Sequence, residues 1–196
     1  MKKMLCDILD RYYVVQTPAT ACYAEATAQH KIGIEIFKKY GVESVLEMKI
    51  PGRNEYLDVY VKVDGIRYGF ELKYKTRRHS SASFEYTSQG AQNNGRYDYI
   101  WDVFRLETYK AAGIIDIGYA IFLSNDPSYW TACRPGTGVA AFDLSSGRTL
   151  SGTYHPGWIG RTGDIVLRGN YPVSWSAPAA SVPTGSEAFR YCIVEI

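Results

Sequence analysis

The stretch YLDVYVKVDGIRYGFELK, residues 56–73, reads as two strands joined by a tight turn. Apolar and polar side chains alternate through 56–63 and again through 66–73, and Asp64-Gly65 between them is a strong two-residue hairpin signal. With a two-residue loop, Val63 faces Ile66. Counting back from that pair sets Asp58 opposite Glu71 and Tyr56 opposite Lys73. The 58–71 pair falls on a non-hydrogen-bonded position, where facing Cα atoms lie only about 4.5 Å apart. One face carries Leu57, Val59, Val61, Val63, Ile66, Tyr68, Phe70 and Leu72, which must meet a core. The other carries Tyr56, Asp58, Tyr60, Lys62, Arg67, Gly69, Glu71 and Lys73, and its Tyr56, Tyr60 and Gly69 suit the floor of a cleft.

Like charges directly opposite one another on neighbouring strands repel. Asp58 and Glu71 therefore need a compensating charge. Lys73 and Lys62 can supply it on an ordinary solvated face. A divalent cation supplies it better, because two carboxylates are hard oxygen ligands suited to Mg²⁺ or Mn²⁺. Lys73 is then placed to hold an attacking water or to stabilise charge developing on a phosphate.

Outward from the hairpin, residues 18–40 read as a long helix, with Thr17 as its cap, Pro18 at the first helical position and Gly41 as its stop. Ala21, Ala24, Ala28, Ile32 and Ile36 form its apolar stripe. Glu25 falls in the middle of that stripe beside Gln29, where a carboxylate is costly unless paired or metal-bound. A first-turn glutamate favoured by the helix dipole is the plainer alternative. Glu35, with Lys31 and Lys39 four residues to either side, reads as a solvated salt-bridge face. Residues 44–50 read as a strand, 75–95 as a polar loop, 96–112 as a second helix stopped by Gly113, and 115–123 as a buried strand. The order implies an α/β fold, a mixed central sheet flanked by helices. Residues 125–196, rich in Gly, Pro, Ser, Thr and aromatics, read as a β- and turn-rich C-terminal extension ending in an apolar strand near FRYCIVEI, within a single domain 1–196. Packing is the favoured use of its Tyr154, Trp158, Tyr171 and Trp175.

The formal net charge of +2 neither demands nor excludes a nucleic-acid partner. Any basic footprint must be local, and Lys73, Lys75, Arg77, Arg78 and His79 form such a run. On the second helix Asp102 and Arg105 read first as a surface i,i+3 ion pair, with phosphate contact by Arg105 as the alternative. Cys6, Cys22, Cys133 and Cys192 are scattered, as are the histidines. Neither a zinc site nor a disulfide framework is suggested, and reduced thiols in a cytoplasmic protein are expected. No apolar run approaches the roughly 18 residues of a membrane span.

Glu25 on a first helix, Asp58 on a strand, Glu71-Leu72-Lys73 on the next strand, then a helix and a strand, resembles the common core of PD-(D/E)xK nucleases over about residues 18–124. The resemblance implies a restriction-endonuclease-like core, helix-strand-strand-strand-helix-strand. It implies Asp58 and Glu71 as ligands of Mg²⁺ (or Mn²⁺), with Glu25 as the further acidic residue of the site, and Lys73 as the catalytic lysine. Lys75, Arg77, Arg78 and Arg105 would bind substrate, a phosphodiester in DNA or, less often, RNA. Leu57 stands where the family name has proline. Gln92 is followed by Tyr97, one residue too far for the Gln-x-x-x-Tyr motif of the RecB-like branch, which weighs against an exonuclease and for an endonuclease. Cutting both strands of a duplex would favour a two-fold homodimer. Two rivals stay open: a non-catalytic nucleic-acid- or protein-binding module with the same fold, and an unrelated α/β protein with a charged hairpin.

Overall fold

The computed structural model describes residues 1–14, 23–80, 85–158, 161–177 and 189–196. Helix α1 (Lys2–Leu9) runs into a π-helical turn, Asp10–Val14, and is followed by α2 (Glu25–Tyr40). Strands β1 (Val45–Lys49), β2 (Tyr56–Val63) and β3 (Ile66–Lys75) come next, then a short pair, β4 (His79–Ser80) and β5 (Glu85–Tyr86). Helix α3 (Gln92–Ala111) leads to β6 (Ile117–Ser124), a second hairpin of β7 (Thr149–Tyr154) and β8 (Ile165–Pro172), and finally β9 (Arg190–Glu195). The result is a mixed α/β fold, its five-stranded sheet ordered β1-β2-β3-β6-β9 and flanked by helices. Among the described residues only β3 and β6 pair in parallel, with α3 as the crossover between them. No helix among the described residues is long and apolar enough to cross a membrane.

Two apolar layers hold the sheet. On one side Ile32 and Ile36 of α2 and Leu5 and Leu9 of α1 pack on Val59, Val61, Phe70, Leu72 and Ile121. On the other, Ile100, Val103 and Leu106 of α3 pack on Leu57, Ala120, Phe122 and Val194, with Leu150 and Ile165 of the second hairpin. Strand β6 is buried on both faces from Gly118 to Ser124, with Ile117 half-buried, and is accordingly an almost continuous apolar run, as a central strand with a parallel neighbour requires. The strand expected near the C-terminus forms as β9 and pairs antiparallel with β6, so the tail completes the central sheet. Tyr154 and Trp175 are buried and Trp158 and Tyr171 pack partly buried beside them, in keeping with the packing expected of these aromatics.

The hairpin register is the expected one from Val63↔Ile66 through Val59↔Phe70, but the pairing ends there: the expected pairs Asp58↔Glu71 and Tyr56↔Lys73 do not form, and Asp58 accepts the Leu72 amide instead. Asp64 and Gly65 both have positive φ, 50° and 84°, the backbone a type I′ turn needs. Three expectations need correction. First, Leu57 belongs to the α3 layer while Val59 belongs to the α2 layer, so the alternation breaks at Asp58. The break coincides with Glu47 on β1, which has φ 49° and stands opposite Asp58 between the Leu46↔Val59 and Met48↔Leu57 pairs. Second, Gly69 does not floor a cleft: a Cβ there would meet Ile115 at 2.9 Å and Leu57 at 3.1 Å. Third, α2 begins at Glu25, with Ala24 extended at φ −153° and ψ 157°. Thr17, Pro18 and Ala21 lie outside the described residues, while Gly41 ends the helix with φ 67° as expected.

Candidate active site

The site forms where β2 leaves β3. Beyond Val59↔Phe70 the backbone amides of β3 turn to side chains for partners. Leu72 N–H donates to Asp58 Oδ2 at 2.6 Å and Tyr74 N–H to Glu25 Oε2 at 2.9 Å. Asp58 and Glu25 thus stand in for the missing strand, and both carboxylates are drawn to the C-terminal half of β3. Glu25 combines the two readings open to it. It occupies the first turn of α2, and it turns toward the sheet one helical turn from Ala28 and Gln29, both buried. Gln29 in turn donates to Glu47 Oε1 at 2.9 Å.

On the other side of β3, Glu71 and Lys73 point at α3. Glu71 is 2% exposed. Its Oε2 lies 3.0 Å from Arg105 Nη1, while its Oε1 is buried with no hydrogen-bond partner among the described residues. Lys73 Nζ lies 3.2 Å from Asp102 Oδ2, and Asp102 Oδ1 lies 3.8 Å from Arg105 Nη1. Asp102 is 4% exposed, so the surface ion pair expected of Asp102 and Arg105 is in fact buried in the site. The signal was available. Asp102 lies between Tyr99 and Leu106 on the buried side of α3, the same misplacement on a helix that singles out Glu25. Every nitrogen of the Arg105 guanidinium is engaged: Nε donates to Tyr109 OH at 2.9 Å, Nη1 to Glu71, and Nη2 to the Tyr56 carbonyl. Tyr109 OH donates onward to Glu55 at 2.9 Å.

Burial pushes the Asp58 carboxyl up to about 7; the Leu72 amide opposes this, and Glu25 and Asp102 add to it. Burial, Asp102 and Asp58 hold Glu71 well above the ordinary carboxylate range, against Arg105 and Lys73. Asp102 is also raised by burial, with Lys73 and Arg105 pulling it back. Burial disfavours the Lys73 ammonium, but Asp102, Glu25 and Asp58 outweigh it and hold its pKa above the ordinary lysine range. Four carboxylates thus share the site with two cations, and burial, with the neighbouring acids adding to it, raises the pKa of Asp58, Glu71 and Asp102.

The other expected residues fall into two groups. Lys75 ends β3, and Arg77 and Arg78 follow it with exposed side chains. The main chain at Arg77 is clasped by buried Asn125, whose Oδ1 accepts from Arg77 N at 2.7 Å and whose Nδ2 donates to Arg77 O at 3.1 Å. His79 is buried against Tyr86 and leaves the basic run. Glu35 is removed from the site and pairs with Lys38 at 2.8 Å, Tyr12 at 3.0 Å and Arg11 at 3.6 Å.

Comparison of the chain with protein-family models, with curated proteins and with solved structures found no match. No three His, Cys, Asp or Glu side chains among the described residues form a ready-made metal cage. Mg²⁺ does not require one, since it keeps several waters and takes one or two carboxylates plus substrate oxygens. The partnerless buried Glu71 Oε1, on a carboxyl close enough to Asp58 for Asp58 to raise its pKa, fits that demand.

Proposed function

We propose that this protein is a metal-dependent nuclease of the PD-(D/E)xK type, with a restriction-endonuclease-like core, hydrolysing phosphodiester bonds, with DNA as the first substrate to test. The observation that carries the reading is the gathering of Glu25, Asp58, Glu71 and Lys73 at one end of β3, with a buried Glu71 oxygen left unsatisfied. A buried polar atom without a partner calls for an explanation, and at a carboxyl beside other acids a bound cation is one. Asp58 and Glu71 would hold Mg²⁺ or Mn²⁺, with Glu25 completing the oxygen set. Such an ion supplies Lewis-acid polarisation of the phosphate and acidifies water. Lys73 contributes a fixed positive charge where charge develops on the phosphate. Water adds to phosphorus, the bond from phosphorus to the leaving sugar oxygen breaks, and that oxygen leaves with a proton. Lys75, Arg77 and Arg78 would meet the backbone of the substrate strand.

A second reading, a binding module that keeps the fold without the chemistry, has one observation in its favour. Arg105 already neutralises Glu71 from within. Incubation of the protein with single-stranded, duplex and branched DNA, in millimolar Mg²⁺ or Mn²⁺ and in chelator, separates the two. Cleavage that requires metal and is lost in Lys73→Ala supports the nuclease. Metal-independent binding with no cleavage on any of the three supports the module.

A further inference from the structure

The partners chosen by Lys73 carry an inference that rests on the metal-dependent reading above. Lys73 and Glu71 are two residues apart on β3 and both turn toward α3. A lysine ammonium on a flexible four-carbon stem can swing to any carboxylate within reach. Buried carboxylates that lack a partner attract such a cation strongly. Yet the ion pair of the Lys73 ammonium is with Asp102, whose Oδ2 lies 3.2 Å away though without an aligned hydrogen bond, while Glu71 Oε1 has neither an ion pair nor a hydrogen bond among the described residues. Asp102 is fixed on α3 between buried Tyr99 and buried Leu106 and is itself 4% exposed, so it cannot follow the lysine elsewhere.

We propose that Asp102 is a positioning residue that withholds the Lys73 ammonium from Glu71 and Asp58, keeping their oxygens available to a divalent cation. Without Asp102, Lys73 collapses onto the acidic pair and fills the place of the ion with its own charge.

A plain charge effect makes a different prediction. If Lys73 merely repelled the ion through space, its removal would tighten binding by the same factor whether or not Asp102 were present. Withholding is conditional: Lys73 does harm only when Asp102 is gone. The test is a double-mutant cycle on Mn²⁺ affinity by calorimetry, with wild type, Asp102→Asn, Lys73→Met and the double variant. Asp102→Ser is carried alongside in case the asparagine does not fold, and circular dichroism checks each protein. Asp102→Asn weakens Mn²⁺ binding by about tenfold or more, as loss of an outer-shell partner commonly does. Lys73→Met alone changes it little, and the double variant returns close to wild type. An additive cycle overturns the inference in favour of simple repulsion. A double variant as weak as Asp102→Asn overturns it too, making Asp102 a ligand or a structural support. Wild-type protein that binds no Mn²⁺ removes the metal-dependent reading itself, an outcome distinct from an additive cycle in a protein that binds.

Discussion

The two ends of β3 each set an acid beside an arginine, with opposite results. Near the turn, Asp116 receives Arg67 N at 2.8 Å and Arg67 Nε at 2.9 Å on one oxygen, and Arg67 Nη2 at 2.6 Å on the other. Both oxygens are satisfied, water is at hand, and the Arg67 hydrogen bonds hold the Asp116 carboxyl down at about 2. At the far end, Glu71 gives one oxygen to Arg105 and leaves the other bare, and burial drives its pKa up. Asp116 is a clasp that ties β3 to the start of β6. Glu71 is an acid that the fold holds at a cost, and such costs concentrate where chemistry is done.

The sharpest way to break this contrast is to neutralise each end in turn. Asp58→Ala, Glu71→Ala and Lys73→Ala should each lower metal-dependent cleavage by about a thousandfold or more, the scale of losing a group that acts in the transition state. Asp116→Asn should leave the cleavage rate near wild type. If folded Lys73→Ala cuts as fast as wild type, the contrast has no catalytic meaning.

The same contrast appears in stability against pH, with opposite signs at the two ends. Asp58 has its folded pKa raised to about 7 from an ordinary 3.8. Its stabilising contribution is complete below about pH 4, where both states are protonated, and is lost as pH rises through about 7. In chelator, urea unfolding should therefore show stability falling over that window by up to a few kcal/mol, since one pKa unit is worth about 1.4 kcal/mol. Asp58→Asn should flatten the fall and be the more stable protein at pH 8. Asp116 behaves the other way: its contribution is present above pH 4 and disappears as pH drops through about 2, so Asp116→Asn should lose stability at neutral pH. Mn²⁺ should recover wild-type stability at pH 8, by about 2.7 kcal/mol at a hundredfold excess over its dissociation constant. An Asp58→Asn protein that is less stable than wild type at pH 8, and a wild type indifferent to Mn²⁺, would class Asp58 with Asp116.

How far the sequence discloses these two ends follows from the range of the forces involved. The turn end is local. Asp64-Gly65 specifies its own backbone, and the register from Val63↔Ile66 follows by counting. The site end depends on distant elements. Its break in alternation at Asp58 is imposed by the positive φ of Glu47 on a neighbouring strand, which no pattern in residues 56–63 announces. The expected start of α2 lies too early because Pro18 is a good first helical residue and alanines continue any apolar stripe, whereas the helix begins at Glu25 after an extended Ala24. Asp102 was legible by the reasoning used for Glu25, but its i,i+3 spacing to Arg105 offered a ready surface explanation. The seat of β9 beside β6 is a pairing across some seventy residues of chain, with no local signature.

Glu25 and Glu35 extend the comparison to α2. Glu25 accepts the Tyr74 amide and reaches the site; Glu35 pairs with Lys38, Tyr12 and Arg11 away from it. Glu25→Gln should weaken Mn²⁺ binding or slow cleavage by roughly tenfold, because an amide keeps the hydrogen bond to Tyr74 and loses only the charge. Glu35→Gln should do neither. Equal small effects from both, measured under one set of conditions, would return Glu25 to the role of a first-turn glutamate.

The smallest effect belongs to the exposed basic residues beyond β3. Lys73 is committed to Asp102, and all three Arg105 nitrogens have protein partners, so neither is expected to release counterions when a nucleic acid binds. Arg77 and Arg78 differ. Their side chains are exposed, and the Asn125 clasp fixes the main chain at Arg77 so that the pair emerges at a set place. A side chain that neutralises a phosphate displaces a condensed counterion, and each such contact contributes about 0.9 to the slope of log affinity against log salt on duplex DNA. Replacing both arginines by alanine should therefore make that slope shallower by up to about two units, with a modest loss of affinity at 0.1 M salt. The loss should be similar for unrelated sequences, since phosphates carry no base identity. Fluorescence anisotropy with catalytically silent Lys73→Ala protein, in Ca²⁺ and across a salt series, reads the slope without interference from cleavage. An unchanged slope would place the substrate path away from the C-terminal end of β3 and leave the acidic site with a different line of approach.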